Sequence, residues 1–172
     1  MTAFCLENES PFGIVLNDEG GARSIGCLAR IEEVLEKFED GRTNLLVVGT
    51  EPFRVLDRFE EAEWPAAEIV VEVDQVDTAG GPDAETAREA FTGLVELATG
   101  EAPDPAEVAG ASSYELAARV ELPLDTKQAL LERRNEDERM TLLANALGAL
   151  EKAIGRATES QERAQTNGNM PH

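Results

Sequence analysis

The feature that most constrains this chain is a change of hydrophobic periodicity near residue 80. Residues 12 to 73 hold short apolar or alternating runs separated by turn residues, which is typical of antiparallel β-structure. Gly80, Gly81 and Pro82 interrupt this pattern, and beyond them apolar residues recur at helical spacing. The sequence therefore predicts an α+β chain with a β-lobe over 1–81, a helical lobe over 82–160 and a disordered polar tail over 161–172.

The β-lobe is expected to contain five or six antiparallel strands. The segment 17–21, Asn-Asp-Glu-Gly-Gly, is expected to form a turn, and 25–31 after it alternates apolar and polar residues. Asp40-Gly41 can close a second hairpin because it tolerates positive φ. The run 45–48 is apolar on both faces, which indicates the central strand of a curled sheet or small barrel. The predicted strands are 12–16, 25–31, 34–38, 44–49, 53–56 and 69–73.

Helix starts in the second half are predicted from capping pairs, in which a short polar side chain accepts a hydrogen bond from an orphan amide. The pairs are Asp104 with Glu107, Ser112 with Glu115, Asp125 with Gln128, and Asn135 with Glu138; Asp83 can cap a further helix that ends at Gly100.

The final helix is expected to be the longest. Its apolar stripe is Met140, Leu143, Leu147, Leu150 and Ile154. We expect this stripe to pack against neighbouring helices. The alternative is a coiled-coil homodimer, in which case the chain would be a structural or regulatory dimerisation protein that acts through its final helix.

The charge balance excludes several classes of partner. Fifteen Lys and Arg oppose 35 Asp and Glu, for a net charge of −20, and neither half is basic. Binding to nucleic acid or to an anionic membrane surface needs clustered Lys and Arg, so we expect neither. There is no apolar run of membrane-spanning length and no signal-peptide pattern at Met1, so a cytoplasmic protein is expected.

Motifs for catalysis are missing. His172 is the only histidine, no Gly-Lys pair offers a P-loop, and Cys5 and Cys27 have no metal-ligand spacing. A Ser-Lys dyad would need Ser112 or Ser113 beside Lys127, although Ser112 is better explained as a helix cap. We therefore expect no enzyme, no cofactor and no metal.

Two carboxylate clusters leave a hydrolase open as a rival hypothesis. They are Glu60, Glu61 and Glu63 in a predicted turn, and Glu136, Asp137 and Glu138 in a predicted first helical turn. Acidic groups at a helix start favour the macrodipole, so both clusters are expected to be solvated surface.

The chain resembles the amino-terminal substrate-binding domain of the Lon protease family, as a stand-alone protein without the ATPase and peptidase domains. The resemblance covers roughly residues 12 to 155. It is carried by Phe12-Gly13-Ile14-Val15-Leu16, Ile25-Gly26-Cys27-Leu28-Ala29-Arg30-Ile31, Asp40-Gly41-Arg42, Leu45-Leu46-Val47-Val48-Gly49, Phe53-Arg54-Val55, Tyr114-Glu115-Leu116-Ala117, Lys127-Gln128-Ala129-Leu130-Leu131-Glu132 and Arg139.

This resemblance implies a small PUA-like β-barrel followed by a helical bundle, and a role in recognising unfolded or damaged polypeptide. By this resemblance the protein would bind exposed apolar segments of other polypeptides, or a protein partner, and would deliver them to a separate ATP-dependent protease. The aromatic residues least explained by strand or helix patterning are the candidate anchors: Trp64, Tyr114 and, less strongly, Phe53.

The amino terminus departs from the family pattern. Family members usually begin with a strand-forming segment rich in Leu, Pro and Phe, and Met1 falls near its end. A barrel without that strand would have an unpaired edge, at which self-association or peptide capture is expected. An RNA-binding role, suggested by the PUA-like fold, is opposed by the negative charge of both lobes.

Overall fold

A computed structural model describes residues 1–59, 64–75 and 82–167 of the chain. Two compact units are present, Met1–Asp74 and Gln75–His172, called here the sheet unit and the helical unit. The division between Asp74 and Gln75 precedes the predicted boundary, whose residues 76–81 lie outside the described residues.

The sheet unit consists of one short helix and a four-stranded antiparallel sheet in the order β1-β2-β3-β4. Its elements are α1 (Thr2–Asn8), β1 (Phe12–Asp18), β2 (Gly21–Lys37), β3 (Thr43–Phe59) and β4 (Ala66–Val71). Helix α1 was not predicted from the sequence. Its N-cap residue is Met1, whose side chain makes no cap hydrogen bond, so the capping signal used for the other helices is missing here.

Both predicted hairpin turns are present at the ends of β2. Gly21 and Gly41 adopt φ values of 97° and 87°, which side chains with a Cβ rarely reach. Asp18 accepts a hydrogen bond from the amide of Gly20, and Asp40 accepts one from the amide of Arg42.

The prediction of five or six strands is wrong for the described residues, which form four. Strands β2 and β3 each run for 17 residues, so that 25–31 and 34–38 belong to one strand and 44–49 and 53–56 to another. Pairing between them shifts register at three places, beside Ala29, Glu33 and Glu36. Such bulges bend a strand without ending it, so interruptions of the apolar pattern were counted as strand ends.

The helical unit contains five helices in its described residues. They are α2 (Pro82–Thr99), α3 (Pro105–Ala109), α4 (Ser113–Ala118), α5 (Leu124–Leu131) and α6 (Glu136–Asn167). Helices α2 and α6 run side by side in the same direction, since Thr141 bonds to Asp83 at one end and Glu151 lies beside Gly93 further along. No described helix is both long and apolar enough to cross a membrane.

Three of the predicted caps are present. Asp104 accepts from the amide of Ala106, Asn135 accepts from that of Glu138, and Ser112 forms a complete capping box with Glu115. Asp125 is not a cap, since α5 begins at Leu124 behind Pro123, which pre-sets the backbone without a side-chain acceptor.

The apolar stripe of α6 packs inside its own unit, as expected. Met140, Leu143 and Leu147 are fully buried against a core that includes Phe91 and Leu116, and Leu150 and Ile154 lie at its margin. Helix α6 runs on over residues 161–167, where a disordered tail was predicted; this segment is rich in Gln, Glu, Arg and Ala, which are good helix formers. Residues 168–172 lie outside the described residues.

Candidate functional site

The sheet unit carries a cleft of about 780 Å³, within the size range of protein ligand sites. Its walls come from α1, from one face of the sheet and from the segment that leads into β4. The lining residues are Met1, Phe4, Cys5, Pro11, Phe12, Gly13, Val15, Leu28, Phe53, Val55, Arg58, Phe59, Trp64, Pro65, Ala66, Ala67 and Ile69. We call this feature the sheet cleft.

Strand register explains why apolar side chains gather on this face. Gly13 pairs with Leu28, Val15 with Gly26, and Gly26 in turn with Phe53 on β3. Paired residues in adjacent strands project to the same face of a sheet, so the period-2 pattern of each strand supplies one row of the cleft.

Phe53 forms the floor of the sheet cleft rather than a protruding anchor. Its side chain is 2% exposed and lies over two glycines. A Cβ at Gly13 would be 2.9 Å from the ring, and a Cβ at Gly26 would be 2.6 Å from it. Glycine inside a strand often marks such a close approach, and here it provides the space for the aromatic ring.

Trp64 lines the same cleft and contacts α1. Its ring centroid is 5.5 Å from that of Phe4, in a tilted arrangement typical of aromatic pairs. Trp64 is half-buried, whereas Phe4 and Phe59 remain 48% exposed. The cleft therefore presents accessible aromatic surface above a closed floor.

The composition of the sheet cleft suits apolar side chains. Its lining residues include four of the six phenylalanines of the chain and its only tryptophan. Arg58 is the only charged side chain among the lining residues that the structure describes, and its guanidinium donates to the carbonyls of Ala22 and Arg23 at 3.2 and 3.0 Å. This arrangement can bind a polypeptide through side-chain burial, and its described lining residues, which flank the gap at 60–63, include no acid-base pair.

Tyr114 belongs to the helical unit, where it contacts a buried polar cluster. The Arg139 guanidinium lies 4.7 Å from the centre of the Tyr114 ring, a cation–π geometry. Arg139 also pairs with Glu136 at 2.8 Å, and both side chains are almost fully buried. The half-buried Tyr114 ring thus packs on α6, within the core of the helical unit.

Sequence reasoning placed the carboxylates at the start of α6 on the surface, which is wrong for Glu136. Glu136 is 8% exposed and accepts from both the amide and the hydroxyl of Ser113, at 2.6 and 2.7 Å. The Ser113 hydroxyl, which the sequence offered as a possible partner of Lys127 in a Ser-Lys dyad, is therefore hydrogen-bonded to Glu136 instead. Residues 60, 61 and 63 of the other carboxylate cluster lie outside the described residues.

No group of His, Cys, Asp and Glu that could hold a metal ion occurs within the described ranges 1–59, 64–75 and 82–167. Cys5 and Cys27 are free thiols, with Cys5 buried. Burial raises the pKa of the Cys27 thiol, and the Thr50 and Glu51 amides that hydrogen-bond to it act in the opposite direction.

A second apolar groove, of about 470 Å³, lies in the helical unit. Phe91 and Leu94 of α2 and Leu150 and Ile154 of α6 line it, and Arg119 stands among the polar lining residues. Arg119 is paired with Glu107 at 3.2 Å.

Sequence reasoning missed most of the residues that form the sheet cleft. Phe4 lies in an unpredicted helix, and Phe12, Val55 and Ile69 were taken as ordinary strand residues. The available signal was the glycine pair Gly13 and Gly26, each placed inside an apolar strand pattern.

The fold is similar to that of a solved Lon N-terminal domain protein. A crystal structure of a Lon N-terminal domain protein from Xanthomonas campestris matches with a TM-score of 0.56 and 20% identity, covering 83% of this chain and 79% of that chain. The N-terminal domain of Mycobacterium avium complex Lon protease matches with a TM-score of 0.48 and 22% identity, covering 80% and 77%. The first of these likenesses defines an α+β fold of the Lon N-terminal type.

A family model described as the ATP-dependent protease La (LON) substrate-binding domain matches residues 5–148. The chain therefore belongs to this substrate-binding domain family, as its sequence motifs predicted. A comparison with curated proteins finds no match.

Proposed function

We propose that this protein is a non-catalytic recognition module that binds exposed apolar segments of other polypeptides in the sheet cleft. The observation that carries the proposal is the concentration of aromatic side chains there, with Phe4 and Phe59 each 48% exposed. Fully burying one large apolar side chain contributes about 1.5 to 3 kcal/mol, so two or three such contacts suffice for weak, sequence-tolerant binding.

Membership in a family named for substrate binding supports a role beside ATP-dependent proteolysis. The net charge of −20 favours polypeptide over nucleic acid or an anionic membrane as the partner. The cytoplasmic location expected from the sequence stays a prediction. Of the three anchors expected from the sequence, Trp64 is the one we propose to contact the bound segment directly, with Phe53 supporting it from below.

Binding can be followed through the protein's own fluorescence, because Trp64 is its only tryptophan. We expect a flexible peptide carrying Phe and Leu side chains to shift the Trp64 emission, and a matched peptide with Ser at those positions to leave it unchanged. The shift should be saturable.

Phe59→Ala tests the assignment to the sheet cleft, with Phe38→Ala as its matched control. Phe38 is an aromatic residue of the same unit that lies outside the cleft, beneath the Arg42 guanidinium at 5.2 Å. Phe59→Ala should weaken peptide binding about tenfold or more, while Phe38→Ala leaves it unchanged. Equal weakening by the two substitutions, or binding without a change in Trp64 emission, would place the peptide elsewhere.

The non-catalytic part of the proposal is tested by assays for ATP hydrolysis and peptide cleavage. We expect no turnover in either, since Ser112 is a helix cap and Ser113 is bonded to Glu136. Turnover that survives Ser112→Ala together with Ser113→Ala would instead favour the carboxylate hydrolase.

A further inference from the structure

Arg58 is the one arginine of the sheet unit that has no carboxylate partner within the described residues. Its guanidinium bonds to two backbone carbonyls only. The other four arginines pair with carboxylates at 2.6 to 3.9 Å; they are Arg23, Arg30, Arg42 and Arg54. The chain has 35 acidic residues against 15 basic ones, so acidic partners are not scarce. Arg58 therefore holds a positive charge that a carboxylate of another molecule can use.

The backbone of β2 fixes the position of the Arg58 guanidinium. Pairing between β2 and β3 begins at Ile25 and Arg54, so the two strands have already separated where Arg58 lies. Nη2 of Arg58 reaches the carbonyls of Ala22 and Arg23 at 3.2 and 3.0 Å. The N–H groups on Nε and Nη1 make no hydrogen bond with the described part of the chain, so they are available to a ligand. A side chain that is already held in place loses little entropy when a ligand binds.

Arg58 is exposed and lines the sheet cleft together with accessible aromatic side chains, which include Phe4 and Phe59. Among the lining residues that the structure describes, no other side chain is charged. A ligand that fills the sheet cleft therefore meets apolar surface and a single positive charge. Apolar side chains accompanied by one negative charge complement such a surface.

We propose that the sheet cleft selects the carboxyl-terminal end of a polypeptide. The α-carboxylate accepts hydrogen bonds from Arg58, and the last apolar side chains lie against the aromatic residues. This inference rests on the proposed function and names the class of segment that the cleft binds. The last residue of a chain carries a carboxylate and a side chain on the same Cα, so it can contact Arg58 and the aromatic surface together. Hydrogen bonds between a guanidinium and a carboxylate are charge-assisted and stronger than neutral ones.

Two features favour a chain end over an internal Asp or Glu side chain. The β2 backbone at Ala22 and Arg23 lies within hydrogen-bond distance behind the guanidinium, so a bound chain that reaches Arg58 meets a wall there. The net charge of −20 also disfavours ligands with several acidic groups, whereas an apolar chain end brings one negative charge.

The unaltered protein tests the proposal with two peptides that differ only at their last group. Each is an acetylated peptide of Ser and Gly that ends in Leu-Phe, with either a free carboxylate or an amide at its end. Titration followed by Trp64 emission should show the free acid binding about threefold to tenfold more tightly, because only it can accept from Arg58. Equal affinities, or tighter binding of the amide, would overturn the proposal.

A third peptide distinguishes the chain end from an acidic side chain. It ends in an amide and carries Glu immediately before Leu-Phe, so that its net charge equals that of the free acid. We expect it to bind more weakly than the free acid, by the same factor as the uncharged amide. If its affinity equals that of the free acid, Arg58 accepts any carboxylate and the selection of a chain end is wrong.

Arg58→Gln assigns the effect to this side chain, with Lys37→Gln as the matched control. Both substitutions remove one positive charge from the sheet unit, and Lys37 is an exposed residue of β2 that is not among the described lining residues. Arg58→Gln should bind the free acid and the amide equally, whereas Lys37→Gln should keep the preference for the free acid. A preference that survives Arg58→Gln, or that both substitutions abolish, would overturn the proposal. If Arg58→Gln does not fold, the peptide comparison on the unaltered protein still decides.

The same titrations separate this inference from the proposed function. If neither the free acid nor the amide shifts the Trp64 emission, apolar segments do not bind in the sheet cleft and both proposals fail. If both peptides bind with the same affinity, the proposed function stands and only the selection of the chain end fails.

Discussion

Gly26 lies where the floor of the sheet cleft is most tightly packed. A Cβ added there would be 2.5 Å from the Ile14 carbonyl oxygen and 2.6 Å from the Phe53 ring. Gly26→Ala should therefore lower the free energy of unfolding by about 1 to 3 kcal/mol in urea denaturation, because the backbone and ring must separate. Gly148→Ala is the control, since nothing lies near its Cβ and alanine is the better helix former. If both variants stay at wild-type stability or above, the ring does not rest on this glycine.

Cys27 is a thiol whose reactivity is set by its surroundings. Burial raises its pKa, so less thiolate is present near neutral pH, and the thiolate is the nucleophile. In a Cys5→Ser background, iodoacetamide at pH 8 should alkylate Cys27 more slowly than a free cysteine, and urea should abolish the difference. Alkylation at the free-cysteine rate in the folded protein would contradict this burial.

At the scale of elements, a buried polar cluster joins α4 to α6. Arg139 donates to the Ser113 hydroxyl at 3.2 Å and to Glu136 at 2.8 Å. Arg139→Met should lower the free energy of unfolding by about 3 to 5 kcal/mol, because it leaves the Glu136 carboxylate buried without its cation. Neutralising that carboxylate as well, by Glu136→Gln, should recover part of the loss.

An exposed ion pair is the natural control for this cluster. Arg119 and Glu107 are 42% and 61% exposed, so Arg119→Met should change the free energy of unfolding by less than about 1 kcal/mol. If Arg119→Met and Arg139→Met lower the free energy of unfolding equally, burial does not determine how much these ion pairs contribute to stability.

The capping box of α4 links stability to pH. The Ser112 amide and then its hydroxyl hold the pKa of Glu115 below its ordinary value of 4.5. A carboxyl group with a lowered folded-state pKa stabilises the fold above its unfolded pKa, and this stabilisation disappears as the pH falls through the folded-state pKa. Ser112→Ala should therefore cost about 0.5 to 2 kcal/mol at pH 7 and distinctly less at pH 3.

Thermal melts at the two pH values measure this difference. Thr92→Ala serves as the control, because the Thr92 hydroxyl donates to the Arg88 carbonyl and that bond involves no titrating group. If Ser112→Ala lowers stability by the same amount at both pH values, the ionised Glu115 carboxylate does not contribute to the cap.

At the scale of the whole molecule, excess negative charge is the dominant electrostatic feature. The net charge is −20, and of the six basic residues in the described part of the sheet unit, Arg23, Arg30, Arg42 and Arg54 already pair with carboxylates. Self-repulsion disfavours the compact state, and salt screens it. Sodium chloride should therefore raise the melting temperature, and Glu39→Lys should raise it most at low salt. A melting temperature that falls with salt would show that the ion pairs outweigh the repulsion.

Local patterns determined much of this protein from the sequence alone. The switch from β to helix, both hairpin turns, three helix caps and the burial of Met140, Leu143 and Leu147 depend on spacing within one segment, which the chain records directly. The motifs that identified the family can likewise be recognised from the sequence alone, because they are short runs in a fixed order along the chain.

Only the tertiary structure decided the features that need two distant segments. The seat of Phe53 depends on Gly13 and Gly26 from two other strands, and the burial of Glu136 depends on Ser113 of another helix. Strand register and helix packing set these contacts through long-range geometry, and no periodicity within a single segment encodes that geometry.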